Sequence, residues 1–184
     1  LSQKPFVLDL DAGQRLADLA DKHNTYLAVN QNGRWAPHFS FARVAAQSGL
    51  LGDVFAAHLG CHWDHSWVAG TEFEKIEHLI LYDYAIHWFD IVRCIFSHQP
   101  VRRVFASTAR VPRQTLMPPL MAQALIEFDE GQVTLAFDAG VVHGQIDQTF
   151  VAGTDGSLLS QGPSIQSQKL TITTAEGEYS PTLA

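Results

Sequence analysis

The feature that most constrains this chain is a series of short strand-like segments, separated by tight turns, that fills its second half. Six segments show β-rich composition or alternating apolar residues, at positions 101–110, 121–129, 133–139, 148–152, 157–160 and 169–174. Turn signals separate several of them, at positions 129–131, 153–156 and 176–177. Because tight turns join antiparallel neighbours, we predict a large, mainly antiparallel sheet.

The first half of the chain alternates strands with helices. Apolar residues at helical spacing predict three helices, at positions 12–23, 39–47 and 79–96. Asp11 is the expected N-cap of the first helix. Short β-rich runs predict strands at 25–29 and 53–63, and a polar, aromatic loop is expected at 64–77. This order predicts the end of a parallel α/β unit, followed by an α+β domain whose helices cover one face of the sheet.

Composition and charge exclude some classes of partner. Hydrophobic residues make up 46% of the 184, and the formal net charge is -7. Because binding to a phosphate backbone needs a basic face, we expect no nucleic-acid partner. The longest apolar runs are well short of the roughly 20 residues that span a bilayer, so we expect no membrane segment. Cys61 and Cys94, without a signal-peptide pattern, favour a reducing, cytoplasmic setting.

Histidines concentrate in the middle of the chain, where His58, His62, His65, His78 and His87 lie close together in sequence. One interpretation is a metal site, and with it a metal-dependent isomerase or hydrolase. The segment lacks a His-Glu-x-x-His arrangement and fixes no third ligand, so we expect no metal ion. The other interpretation is that most of these histidines are hydrogen-bonded in the core or lie on the surface.

Asp83 and His87 form a sharper candidate pair. On an α-helix, residues i and i+4 lie above one another, so the Asp83 carboxylate can hydrogen-bond the imidazole of His87 and orient it. The other ring nitrogen is then free to take a proton from a hydroxyl. An ordinary helix-surface pair is the alternative. Lys4, at the end of a parallel strand, lies where ligands bind in α/β folds and could polarise a carbonyl or carry a proton.

Four segments of the chain form an ordered set of motifs. Gln3-Lys4-Pro5 is similar to a Glu-Lys-Pro motif, and it precedes a strand and an Asn-x-Arg-like segment that ends at Arg34. Three further segments resemble a Gly-x-x-Gly-x-Val junction, an Asp-x-x-x-His-x-x-Asp helix and a late strand-turn-strand, at positions 48–54, 83–90 and 151–158. Their order and spacing cover nearly the whole chain and resemble the Gfo/Idh/MocA family of NAD(P)-dependent oxidoreductases.

The resemblance implies a dehydrogenase that transfers hydride between NAD or NADP and a hydroxyl-bearing carbon of a sugar, an inositol or a related polyol. It implies that Lys4 is the catalytic lysine and that His87 is the acid and base of the reaction. Asp83 would bind the substrate or orient His87. Lys4, Pro5 and Arg34 would contact the cofactor.

Aromatic and histidine side chains ahead of the 79–96 helix are the candidates for lining the substrate pocket: His62, Trp63, His65, Trp67 and His78. Aromatic faces stack on sugar rings, which is the reason for choosing them. Packing within the loop is the alternative for each. Gln3 replaces the family's glutamate and Ala85 replaces a frequent glycine, which indicates a divergent subgroup with its own pocket.

The resemblance also divides the chain into two parts. Residues 1–35 correspond to the end of the family's Rossmann dinucleotide-binding domain, and residues 36–184 to its C-terminal substrate-binding and dimerisation domain. The sequence has no Gly-x-Gly-x-x-Gly loop and no initiator methionine, so we expect a fragment that is inactive alone. An open sheet face predicts a homodimer or a higher homo-oligomer. The alternative function is a non-catalytic domain that binds a ligand or serves assembly.

Overall fold

The computed structural model describes residues 1–183, and it confirms a mixed fold with three α-helices and ten strands among them. The strands are β1 Ser2–Gln3, β2 Val29–Asn30, β3 Val54–His62, β4 Val101–Ala109, β5 Met121–Phe128, β6 Gly131–Asp138, β7 Ile146–Gly153, β8 Gly156–Ser164, β9 Ser167–Thr174 and β10 Gly177–Tyr179. The helices are α1 Leu10–Lys22, α2 Pro37–Gln47 and α3 Ile86–Ile95, and a π turn, Ile80–Tyr84, leads into α3.

Eight of the strands form one large sheet, in the order β10-β9-β8-β7-β3-β6-β5-β4. Neighbouring strands are antiparallel except for β3 and β6, which run parallel with Ala57 opposite Val133. The predicted mainly antiparallel sheet is therefore confirmed. The one parallel pair arises because the chain leaves β3 in the middle of the sheet, passes through α3, and re-enters at the edge strand β4. The hairpins then return it to the centre.

The core lies between one face of this sheet and the helices. Alternate residues along β5 and β6 are buried, among them Ile126, Leu135 and Phe137, as the period-two pattern of a strand with one covered face requires. Phe137 packs against the rings of Tyr84 and Trp88, with centroid distances of 5.9 and 5.5 Å. We call this the inner face. The opposite, outer face stays partly exposed, so the prediction that helices cover one face is confirmed.

The N-terminal segment differs in two details from the prediction. The first helix begins at Leu10, and its N-cap is Asp9, whose Oδ1 accepts the N–H of Ala12 at 2.7 Å. The assignment of Asp11 as the cap was therefore wrong, because the helix starts earlier and Asp11 lies inside its first turn. The predicted strand at 25–29 is reduced to β2, since the ladder with β1 contains only two residue pairs.

The predicted helix at 79–96 is interrupted. The N–H of Ala85 donates to the carbonyl of Ile80 at 2.7 Å, an i to i+5 bond that defines the π turn, and α3 starts only afterwards. Insertions of this kind inside helices are frequent at functional sites. The preceding loop contains two short 3₁₀ turns, Ser66–Val68 and Glu72–Lys75.

Across residues 1–183, no helix has both the length and the apolar character needed to cross a membrane.

Phe137→Ala should destabilise the fold by about 3–5 kcal/mol, because it removes a fully buried ring and leaves a cavity between the sheet and α3. The matched control is Phe55→Ala on β3, whose ring is 48% exposed and should cost about 1 kcal/mol or less. Urea unfolding measures both. Similar costs for the two variants would contradict the assignment of the core to the inner face.

Candidate active site

Lys4 and Asp83 are 79 residues apart in sequence and form a partly buried ion pair. Lys4 follows β1, and its Nζ donates to Oδ1 of Asp83 and to the backbone carbonyl of Asp83, each at 2.9 Å. The two side chains are 22% and 8% exposed. Two charge-assisted hydrogen bonds to one residue hold the ammonium in a fixed position. The structure therefore brings these two predicted site residues together.

His87 lies in the first turn of α3, beside this pair, but it makes no hydrogen bond to Asp83. Asp83 Oδ1 is held by Lys4, and Nδ1 of His87 is buried without a partner among residues 1–183. The predicted hydrogen bond between Asp83 and His87 is therefore wrong. Its premise was α-helical spacing, and the π turn changes the spacing between the two residues.

The backbone at Gly33 packs directly against the ring of His87. A Cβ added at Gly33 would lie 2.8 Å from His87 Nδ1, closer than real Cβ contacts, and a tight 3.1 Å from the His87 Cβ. Only glycine permits this approach. Sequence reasoning missed Gly33, because a glycine in a turn carries no sign of what faces it across the fold.

His65 lies in the same neighbourhood, with its ring 4.7 Å from that of Tyr84, the residue after Asp83. Burial lowers the pKa of His87, Lys4 lowers it further, and Asp83 and Asp90 oppose the shift. Burial likewise lowers the pKa of His65, with Asp83 opposing and Lys4 adding to the shift. Both imidazoles are therefore neutral at neutral pH, and both respond to the same ion pair. We call Lys4, His65, Asp83 and His87 the Lys4 cluster.

Trp67 fixes the tautomer of His65. The indole Nε1–H of Trp67 donates to His65 Nδ1 at 3.2 Å, so the ring proton of the neutral imidazole must be on Nε2. Nε2 is buried and has no partner in the described chain, and the ring lies 4.7 Å from that of Tyr84. His65 thus offers an unused N–H donor beside the ion pair, a role that its place in an aromatic loop could not reveal.

The other predicted pocket residues are not all brought to this cluster. Trp63 is next to it, 6.2 Å from the ring of Tyr84, and its Nε1 is buried without a partner in residues 1–183. His62 projects from the outer face of the sheet, where its Nδ1 lies 2.6 Å from Asp138 Oδ2. His78 is exposed ahead of the π turn, with its ring 6.4 Å from Tyr82.

Arg34 is engaged by α3. Its Nε and Nη2 donate to the two carboxylate oxygens of Asp90 at 2.5 and 2.6 Å, and this bond is the main cause of the raised pKa of Arg34. The bond ties the 3₁₀ turn Asn32–Trp35 to the helix that carries His87. The predicted cofactor contact of Arg34 stays a prediction, as does that of Pro5, which follows Lys4 through a cis peptide bond.

The donor set around the Lys4 cluster suits a hydroxylated organic ligand better than a metal ion. In the part of the chain that the structure describes, no group of three or more His, Cys, Asp or Glu side chains could hold a metal. Two unpartnered atoms nearby, His65 Nε2 and Trp63 Nε1, are ring nitrogens that hydrogen-bond hydroxyl oxygens. They fit the reacting end of a nicotinamide and its substrate, whereas the sequence holds no Gly-x-Gly-x-x-Gly loop for the pyrophosphate.

The chain matches known proteins over most of its length. Residues 39–159 match the protein-family model described as GFO/IDH/MocA C-terminal domain. The D-apiose dehydrogenase of Paraburkholderia graminis is 27% identical over 165 residues, which cover 86% of this chain and 43% of that protein.

Solved structures share the fold. An oxidoreductase from Agrobacterium radiobacter, in complex with NAD+, L-tartaric acid and magnesium, aligns with a TM-score of 0.84 at 21% identity over 99% of this chain and 54% of its own. An inositol dehydrogenase homologue from Azotobacter vinelandii, with NADH and myo-inositol, aligns with a TM-score of 0.78 at 17% identity, over 97% and 48%. The chain thus spans about half the length of these proteins.

Lys4→Met should raise the pKa values of both His87 and His65, and Asp83→Asn should lower both. A neighbouring cation disfavours the imidazolium, so Lys4→Met removes that effect and raises both values; Asp83→Asn leaves Lys4 unpaired and lowers both. NMR titration of the ring protons measures the shifts. The exposed His143, which belongs to another part of the chain, is the internal control. Shifts of the same sign in the two variants would contradict the cluster.

Proposed function

The chain belongs to the GFO/IDH/MocA family, and we propose on that basis that the protein is an NAD(P)-dependent oxidoreductase acting on a sugar, an inositol or a related polyol. The observation that carries the proposal is the Lys4 cluster, in which an anchored ammonium and two neutral imidazoles lie together. Oxidation of an alcohol needs such groups, because the hydroxyl must lose a proton while its carbon loses hydride.

His87 is the proposed general base. Its neutral imidazole has one nitrogen that can accept a proton, and neutrality at working pH is the condition for accepting one. In the reverse direction the imidazolium returns the proton to a carbonyl oxygen. Removing such a group typically costs 10²–10⁴-fold in rate.

Lys4 and His65 are the proposed donors to the substrate oxygen. The ammonium of Lys4 has three N–H donors, and two of them are used by Asp83, which leaves one for a ligand. The Nε2–H of His65 is the second free donor. Asp83 acts by holding Lys4, in place of the predicted orientation of His87.

The cofactor is proposed to be NAD or NADP, with Pro5 and Arg34 at its reacting end. Support comes from the two similar structures, which are complexes with NAD+ and with NADH. When bound, the nicotinamide accepts or donates the hydride. This chain's part is to hold the substrate oxygen and to move its proton.

The proposed substrates are small hydroxylated molecules, with D-apiose the first to test because a relative carries that activity in its name. Asp83, Trp63, Trp67 and His78 remain proposals for the substrate pocket, whereas His62 meets Asp138 on the outer face and does not reach the cluster. Trp63 has the best support, since its unpartnered indole N–H lies beside the cluster. A cytoplasmic setting is proposed from the two free cysteines.

We further propose the division at residue 35, and self-association of the part that follows it into a homodimer or a higher homo-oligomer. The two-stranded parallel sheet of β1 and β2 is separate from the eight-stranded sheet, which supports the division. The outer face of the large sheet holds an apolar depression of about 360 Å³ that includes Phe105, Leu125 and Ala136. In a two-fold dimer the same patch of both subunits meets, and an exposed apolar depression is a surface that such a contact would bury.

The activity test uses the protein as its gene encodes it. This protein should reduce NAD or NADP in the presence of D-apiose, myo-inositol or another polyol. The absorbance of the reduced nicotinamide measures the reaction. Lys4→Met and His87→Gln should each lower kcat by roughly 100-fold or more, while the exposed His143→Gln should not. Substrate binding without turnover in the unaltered protein would favour the non-catalytic alternative.

The self-association proposal is tested by charge on the outer face. Leu125→Glu should dissociate the oligomer, because a buried unpaired carboxylate at an interface is costly. Gln14→Glu, at an exposed position of α1 outside the large sheet, adds a carboxylate away from this face as the control and should not. Sedimentation velocity measures the mass of both. An unaltered protein that is monomeric at micromolar concentration would contradict the proposal.

A further inference from the structure

The hydroxyl of Tyr84 is bound inside the core, directly behind the Lys4 cluster. Its oxygen lies 2.8 Å from Sγ of Cys61 on β3, and both side chains are buried. Burial raises the pKa of the Tyr84 phenol and of the Cys61 thiol, so both stay protonated and share this hydrogen bond. The bond ties the last residue of the π turn to the inner face of the sheet.

The tether bears on Lys4 through one peptide group. The carbonyl of Asp83, which accepts from Lys4 Nζ at 2.9 Å, belongs to the peptide bond between Asp83 and Tyr84. A displacement of Tyr84 therefore displaces an acceptor of Lys4. Holding the Tyr84 ring in place fixes the direction of the donor that Lys4 has left for a ligand.

Asp147 extends the tether into the next strand. It lies on β7 as the Cα partner of Cys61, and its side chain is 0% exposed. Neither carboxylate oxygen has a hydrogen-bond partner among residues 1–183, so Asp147 meets Cys61 as its direct cross-strand neighbour on the inner face and not through a hydrogen bond. A buried carboxylate without compensation is costly, and the group responds by taking up a proton.

The surroundings of Asp147 favour the neutral acid. Burial raises its pKa to about 7, with the Cys61 thiol opposing the shift. On its other side Asp147 faces Gly162 of β8, which carries no charge. In the helical layer, the phenol of Tyr84 stays protonated and carries no charge. A neutral carboxylic acid has an O–H to donate.

We propose that Asp147, Cys61 and Tyr84 form a buried positioning chain for the Lys4–Asp83 ion pair, with Asp147 acting as a neutral carboxylic acid. Asp147 is a positioning residue, because it acts on Lys4 only through Cys61 and Tyr84. The contribution to turnover rests on the proposed function, whereas the contribution to the geometry of the cluster does not.

The first test measures stability against pH. The folded-state pKa of Asp147 lies above its ordinary value of 3.8. The contribution of Asp147 to the free energy of unfolding is therefore fully present below about pH 4, and it is lost as the pH rises to about 7. From about pH 5 to about pH 8, the unfolding constant of the unaltered protein relative to that of Asp147→Asn should rise roughly 10- to 100-fold. A pH-independent ratio would overturn the neutral acid.

The second test measures the cluster. The pKa values of His65 and His87 depend on Lys4 and Asp83, and NMR titration of the ring protons measures them. Asp147→Val and Tyr84→Phe each remove the polar group at one end of the positioning chain. Each should shift these two pKa values by roughly 0.5 or more. Asp147→Asn keeps a neutral hydrogen-bond donor at this position, so the pKa values of His65 and His87 should stay near those of the unaltered protein.

The control for the second test is Thr149→Val, two residues along β7 on the same face. Its hydroxyl is buried and has no hydrogen-bond partner among residues 1–183. The substitution therefore removes a polar atom from the core and leaves Asp147, Cys61 and Tyr84 unchanged. It should leave both histidine titrations unchanged. Unshifted titrations in Tyr84→Phe and in folded Asp147→Val would overturn the proposal, and Tyr84→Phe decides alone if Asp147→Val does not fold.

Neither test needs a substrate, so the inference and the proposed function fail separately. If the unaltered protein turned over none of the polyols, that result would contradict the proposed oxidoreductase function and leave the positioning chain unaffected. Where turnover is found, Asp147→Val should lower kcat about tenfold with KM little changed, and Asp147→Asn should not.

Discussion

The ion pair between Lys4 and Asp83 is the contact on which the arrangement of the site depends. Lys4 follows a two-residue strand outside the large sheet, and Asp83 is anchored in the π turn over its inner face. Asp83 supplies both a carboxylate and a carbonyl, so the ammonium is held by two acceptors at once. A surface pair in the same geometry would contribute little. Here Asp83 is 8% exposed, and loss of Lys4 would leave a nearly buried carboxylate unpaired.

A second link supports the first from the other side of His87. Arg34 and Asp90 form a bidentate pair that ties the turn holding Gly33 to α3. Gly33 in turn packs on the His87 ring. The imidazole is thus confined by backbone on one side and by its own helix on the other, and its buried Nδ1, which faces Gly33, has no hydrogen-bond partner among residues 1–183. Steric confinement therefore holds the ring in place.

The sequence predicted those parts of the fold that depend on local periodicity. Alternation along β5 and β6 identified strands with one covered face, because the period of two is written in the residues themselves. The parallel pairing of β3 with β6 depends on contacts about 75 residues apart, and no local pattern encodes it. The π turn also escaped prediction, since the apolar spacing of 79–96 fits a continuous α-helix equally well.

The same distinction explains the candidate site. Lys4, Asp83 and His87 could be proposed from motifs, whereas their hydrogen bonds could not. The π turn directs Asp83 toward Lys4, and no motif encodes that turn. His62 and Trp63 are adjacent in sequence and were assigned to one pocket, yet neighbouring positions along a strand point to opposite faces. His62 accordingly meets Asp138 on the outer face, while Trp63 reaches Tyr84 behind the cluster.

The π turn contains two adjacent residues whose side chains serve different parts of the structure. Tyr84 must face the sheet, where its ring packs on Phe137 and its hydroxyl meets Cys61. Asp83, the residue before it, must turn its carboxylate and its carbonyl toward Lys4. The widened turn, closed by the bond from Ala85 to Ile80, gives adjacent residues these two directions. The irregularity is therefore the structural cause of the site, since it couples the ion pair to the core.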